Sequence, residues 1–181
     1  MEHRSLADDL AVETCHVQEL HRLLIAELDV VSGRSTAALS ARTGGELSAR
    51  WERDVAVHRW SERAAQLRAA RSGLCFGRLD AHDGPTLYVG RIGLSAADDA
   101  TALLDWRAPA SQPFYCATLA TPLGLARRRH FQLAGIGPDE RVVDIHDDVF
   151  VASRTDDSDT AADPALLAAL SAPRGSAMRD I

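Results

Sequence analysis

From residue 5 to residue 41 the chain holds no proline and a single glycine, Gly33, while Leu10, Val17, Leu24 and Val31 recur at strict seven-residue intervals. Apolar side chains at that spacing line one face of an α-helix, and a stripe this long is a surface for packing along another helix. Leu6 and Leu20 adjoin the seam and Leu28 broadens it. Glu13, Glu19, Arg22 and Glu27 fall on the polar side, where a solvated face is expected. Thr43-Gly44-Gly45-Glu46 breaks the pattern, because paired glycines favour a turn and weaken a helix. A second helix is expected over about 46–71, with Leu47, Trp51, Val55, Trp60, Ala64 and Leu67 as its stripe and Glu46–Arg50 as an i,i+4 ion pair. So short a connection makes the two helices antiparallel neighbours. At about 1.5 Å rise per residue the first is roughly 50 Å long, enough to project from a compact body. Gly33, Ser35 and Thr36 are weak helix formers and mark a candidate bend.

After Ser72-Gly73 the periodicity shortens. Residues 74–76, 86–89, 101–104, 114–118, 130–133 and 141–145 read as short strands, and Asp83-Gly84 between the first two is the strongest hairpin signal. Residues 152–163 are polar and acidic, a linker by composition, and Asp163-Pro164 can start a short helix through Leu170. The expected fold class is α+β. An antiparallel coiled-coil hairpin (1–72) precedes a small antiparallel β-sheet or barrel domain (73–151), then an acidic linker, a short helix and a tail (152–181).

The 181 residues make one good-sized domain or two small ones, and no apolar run approaches the roughly 20 residues of a membrane span. The acidic start also lacks the apolar centre of a signal peptide, so a cytoplasmic protein is expected. The three cysteines form no CxxC pair and read as reduced structural thiols. A net charge of −6 disfavours a surface that wraps nucleic acid throughout, though not a local basic patch. All 20 basic residues are arginine, and lysine and asparagine are absent, the mark of a GC-rich genome. Without lysine there is no Gly-x-x-x-x-Gly-Lys-[Ser/Thr] phosphate loop, so ATP hydrolysis by this chain is not expected.

The β half carries a series of word-like strings: Leu74-Cys75-Phe76-Gly77-Arg78-Leu79-Asp80, Leu87-Tyr88-Val89-Gly90-Arg91-Ile92-Gly93-Leu94, Leu104-Asp105-Trp106-Arg107-Ala108-Pro109-Ala110, Pro113-Phe114-Tyr115 and Arg127-Arg128-Arg129. In this order they resemble the N-terminal region of HelD-like helicases of actinobacterial type, superfamily 1 motors related to UvrD that act on bacterial RNA polymerase. The closing stretch from Pro173 to Ile181 resembles the segment that leads into that family's adenine-sensing and phosphate-binding motifs. The resemblance implies a coiled-coil arm that enters the secondary channel of core RNA polymerase. It also implies a motor, beyond this chain, that uses ATP and Mg²⁺ to release nucleic acid and recycle the polymerase. The chain is then a piece of a longer protein or a stand-alone remnant that keeps the arm.

The expected partner-binding residues are Arg34, Arg42, Glu46 and Arg50 at and near the arm tip. With one acid and one base the tip does not offer the converging carboxylates that would hold a catalytic Mg²⁺. Arg107 is either the partner of Asp105 in a turn or a contact to the motor, with Trp106 filling a core. Arg127, Arg128 and Arg129 are either partners for the acidic 139–148 stretch or contacts to phosphate or polymerase; strand alternation would send the first and third to one face. A rival expectation is a nucleic-acid-binding module in which Tyr88, Trp106, Phe114 and Tyr115 stack on bases. His146 among Asp144, Asp147 and Asp148 lacks the spaced ligands of a zinc site and reads as a solvated acidic turn. No catalytic, metal-binding or cofactor-binding set is expected within the chain.

Overall fold

A computed structural model describes residues 5–40, 47–96 and 100–150. Helix α1 (Leu6–Ser40) runs unbroken through Gly33 and is followed by α2 (Leu47–Ala69). Six strands follow: β1 (Cys75–Ala81), β2 (Thr86–Gly90), β3 (Leu94–Ser95), β4 (Thr101–Asp105), β5 (Leu125–Ala134) and β6 (Arg141–Val149). They form one sheet in the order β3-β4-β2-β1-β5-β6. The expected linker, short helix and tail over 152–181 lie outside the described residues.

The architecture is α+β with a helical hairpin first, as the two periodicities predict. The sheet itself is mixed. β1–β2, β1–β5, β5–β6 and β3–β4 are antiparallel, but β4 slips between β3 and β2 and runs parallel to β2, with Val89 opposite Leu104. The expected hairpin at Asp83-Gly84 joins β1 to β2.

The strand expected over 114–118 is a short helix instead, α3 (Gln112–Cys116), entered through a 3-10 turn at Pro109–Ser111. Pro113 at its start has no N–H to give a ladder, and Ser111 Oγ donates to the Asp105 carbonyl at 2.6 Å, folding the chain back on β4. Phe114 then plugs a cluster with Leu79, Val89, Leu125 and Phe150. Its ring lies across β1 where a Cβ on Gly77 would come within 2.2 Å, so only glycine fits there. Trp106, expected in the core, is 49% exposed.

The larger hydrophobic cluster joins both helices to the sheet. Val17, Leu20, Leu24 and Val31 of α1 and Ala64 and Leu67 of α2 meet Leu74, Cys75, Leu103, Phe131 and Val142. Because α1 is covered by α2 and by the sheet, its buried surface is wider than one heptad seam. Glu13, expected on a solvated face, and His21 are both buried. Burial costs a carboxylate several kcal/mol unless it is paired, and both are. Glu13 accepts from the guanidinium groups of Arg78 and Arg129 and from the Tyr88 hydroxyl. Burial, with Glu13 beside it, pushes the Tyr88 hydroxyl up to about 12. His21 Nε2 lies 3.0 Å from Glu140 Oε2. Glu140 also accepts from the backbone N–H groups of Gly73 and Leu74, fixing the passage from α2 into β1.

Candidate functional site

The packing of the hairpin changes along its length. Near the sheet, Arg63 ties the helices together by an ion pair to Glu27 and donates to the Gly93 carbonyl. Farther out Ser35 meets Ser61, and the guanidinium groups of Arg34 and Arg59 lie 5.0 and 5.6 Å from the Trp60 ring centroid. Beyond that level large apolar side chains are exposed. Leu47 is 83% and Trp51 69% accessible, and Leu39 and Val55 are exposed as well. Leu47, Trp51 and Val55 were expected in the seam. On this part of α2 the half-buried positions are Ala49, Arg53, Ala56, Val57 and Trp60 instead. The reason lies on α1, which past Val31 offers Ser32, Gly33, Ser35, Thr36, Ala37 and Ala38, side chains too small to cover a tryptophan. Trp60 still packs onto the core, and farther out Leu47, Trp51 and Val55 turn outward.

Of the expected partner-binding residues, Arg34 and Arg50 are exposed on this outer part, and Arg50 pairs with no carboxylate among the described residues. Arg42 and Glu46 lie outside the described residues. The outer hairpin thus combines exposed apolar side chains with arginines. That is a surface able to bury area against a protein and to pair with its carboxylates.

The three arginines of β5 are held inside the chain. Arg127 binds Asp80 at 2.7 Å, and Arg129 is buried among Asp9, Glu13 and Asp147. Arg128 points to the other face, as strand alternation predicts, pairing with Asp148 and donating to the Phe114 carbonyl. The Asp147 hydrogen bonds, with Glu13, outweigh desolvation and raise the Arg129 guanidinium above its ordinary range. Burial would raise the Asp80 carboxyl, but Arg78 and Arg127 outweigh it and hold the group low. A phosphate would have to compete with these carboxylates for the three guanidinium groups.

Arg107 and Asp105 do form the expected turn pair, through two side-chain hydrogen bonds and the Arg107 backbone N–H. Arg107 is mostly exposed and, beside Trp106 and Tyr115, walls a cavity at the base of α2. Of the aromatic residues expected to stack on bases, Tyr88 is bonded to Glu13 and stacked on His16, and Phe114 is in the core. Trp106 and Tyr115 are the exposed ones. His146 is also exposed, but on β6 and not in a turn. No group of three or more His, Cys, Asp or Glu side chains among the described residues is placed to hold a metal ion. No helix among them is long and apolar enough to cross a membrane. Sequence reasoning missed Glu140 and Arg91. Glu140 sits in no motif, Arg91 stands in the 87–94 string without a role being read from it, and only the fold brings the first to His21 and the second to the cavity.

The ATP chemistry implied by the resemblance has no residues here, since a phosphate loop needs a lysine that the chain lacks. No curated protein matches the chain. A family model described as the N-terminal domain of DNA helicase IV HelD matches residues 10–163, covering α1 beyond its first turn, α2 and the whole sheet. The chain therefore belongs to the HelD N-terminal domain family, the N-terminal accessory module of a helicase family.

Proposed function

We propose that this module is a protein-docking arm that engages core RNA polymerase through its secondary channel and links the polymerase to an ATP-driven HelD-type motor. The single observation that carries the reading is the outer hairpin, where Leu39, Leu47, Trp51 and Val55 stay exposed beside Arg34 and Arg50. Exposed tryptophan and arginine on a rod-like support are the residue types that dominate protein interfaces. The rival nucleic-acid module has less support, because Arg127, Arg128 and Arg129 are neutralised by Asp80, Asp147, Asp148, Asp9 and Glu13.

Retention of purified core RNA polymerase on the immobilised chain tests the reading. Folded wild-type protein is expected to retain polymerase at moderate salt, and Trp51→Ala with Leu47→Ala to weaken retention at least ten-fold, about 1.4 kcal/mol. No retention by folded wild type overturns the proposal. Salt-sensitive binding of DNA that Arg127→Ala and Arg129→Ala abolish, without polymerase retention, favours the rival.

A further inference from the structure

At the base of α2, away from the outer hairpin, a cavity of about 620 Å³ opens among Gln66, Phe76, Arg91, Trp106, Arg107 and Tyr115. Its size is that of a small-ligand pocket, and its lining is unusual for this chain in three respects. First, it concentrates aromatic surface. Trp106 and Tyr115 are 49% and 52% exposed, edge to face with ring centroids 6.4 Å apart. Second, it carries two arginines and no lining carboxylate among the described residues, in a chain with 26 acidic against 20 basic side chains. Third, both guanidinium groups stay open to a ligand. Arg107 forks onto Asp105, as Arg129 does onto Asp147, but remains 60% exposed where Arg127, Arg128 and Arg129 are 34%, 16% and 4%. The Arg91 guanidinium lies over Gly73, where φ is +64° and an added Cβ would sit 3.3 Å from its Nε. It pairs with no carboxylate among the described residues, whereas Arg78, Arg127, Arg128 and Arg129 all do.

We propose that this cavity binds a nucleoside phosphate, the base against Trp106 with Tyr115 edge to face beside it and the phosphate at Arg91 and Arg107, with the Gln66 amide available to the base edge. A planar aromatic anion uses the aromatic surface and the guanidinium pair together. A bare carboxylate or inorganic phosphate uses only the second. The assigned role is binding, and the chain has no lysine with which to build a phosphate loop. It rests on residues separate from those of the docking arm, so either proposal can fail alone.

Titration calorimetry of the full chain with adenosine monophosphate, adenosine, inorganic phosphate and a 5′-phosphorylated thymidine tetranucleotide tests it. At least one of the two nucleotide ligands is expected to bind at a single site, at least ten-fold tighter than adenosine or phosphate. Trp106→Ala and Arg91→Ala are each expected to weaken it at least ten-fold with unchanged thermal midpoint, and Trp106→Phe to keep most of the affinity. Tighter binding of the tetranucleotide identifies a strand end as the source, and tighter binding of the monophosphate a free nucleotide. No binding of either nucleotide ligand at millimolar concentration, equal binding of inorganic phosphate, or affinity indifferent to Trp106→Ala overturns the proposal.

Discussion

Glu140 shows how much one side chain decides in a small α+β body. It is buried, and its carboxylate accepts from His21 of α1 and from the Gly73 and Leu74 amides at the start of β1. Burial alone would raise its pKa, but these donors outweigh it and hold the carboxyl below the ordinary glutamate range. An ionised carboxylate only accepts, so Nε2 of His21 is the donor in this pair. Replacing Glu140 with Ala strands a buried imidazole N–H, the buried Leu74 amide and the half-buried Gly73 amide. Denaturant unfolding is expected to show a loss of about 3–5 kcal/mol, the usual result of removing one member of a buried pair. Nothing in the local sequence marks Glu140, which sits in a surface-like run of Gly-Pro-Asp-Glu-Arg. By contrast the Asp105–Arg107 pair is legible from spacing alone, because residues two apart across a tight turn meet whatever the rest of the chain does.

Among the elements, the hairpin was legible because a heptad repeat is a local, repeated signal. Val17, Leu24 and Val31 are buried, as the seven-residue spacing requires. On α2 the same reasoning holds only for Trp60, Ala64 and Leu67, since which face packs depends on what the partner helix offers opposite. The two ends of the hairpin should therefore respond differently to truncation. Leu24→Ala is expected to cost about 2–5 kcal/mol in chemical denaturation, a cavity in the shared core. Trp51→Ala, although it removes more atoms, is expected to change stability by no more than about 0.5 kcal/mol, as exposed positions do. A large loss at Trp51 would mean that this side chain is covered. The missed element, α3, has aromatic, β-prone residues, but Pro113 and the Ser111 contact to Asp105 decide its geometry.

For the body as a whole, acid should weaken the fold in two stages. His16 is stacked on Tyr88, and burial holds its imidazole below 6.5; burial, then Arg128, lowers His130 as well. Burial opposes the shift at Asp80 and Glu140, but their hydrogen-bond donors hold both low, and Arg128 does the same for Asp148. At each of these groups the unfolded chain takes up its proton at a higher pH than the folded one, so falling pH favours unfolding. The thermal midpoint is expected to be highest near neutrality, to decline as pH falls through the ordinary histidine range, and to drop more steeply below about 4.5. A midpoint that is flat from pH 7 to 5, or that rises on acidification, would contradict these assignments.

Sequence alone determined the hairpin, the α-then-β order, the β1–β2 turn and the kinship to the HelD family, because each rests on signals carried by neighbouring residues or by strings in fixed order. Tertiary structure alone decided that Arg127, Arg128 and Arg129 are spent on internal carboxylates, that β4 inserts parallel to β2, and that the bulky side chains of the outer α2 face outward. Those outcomes depend on which groups are brought together from 15 to 120 positions apart. A charge or an apolar face is satisfied by whatever the fold sets against it, and local composition does not carry that information.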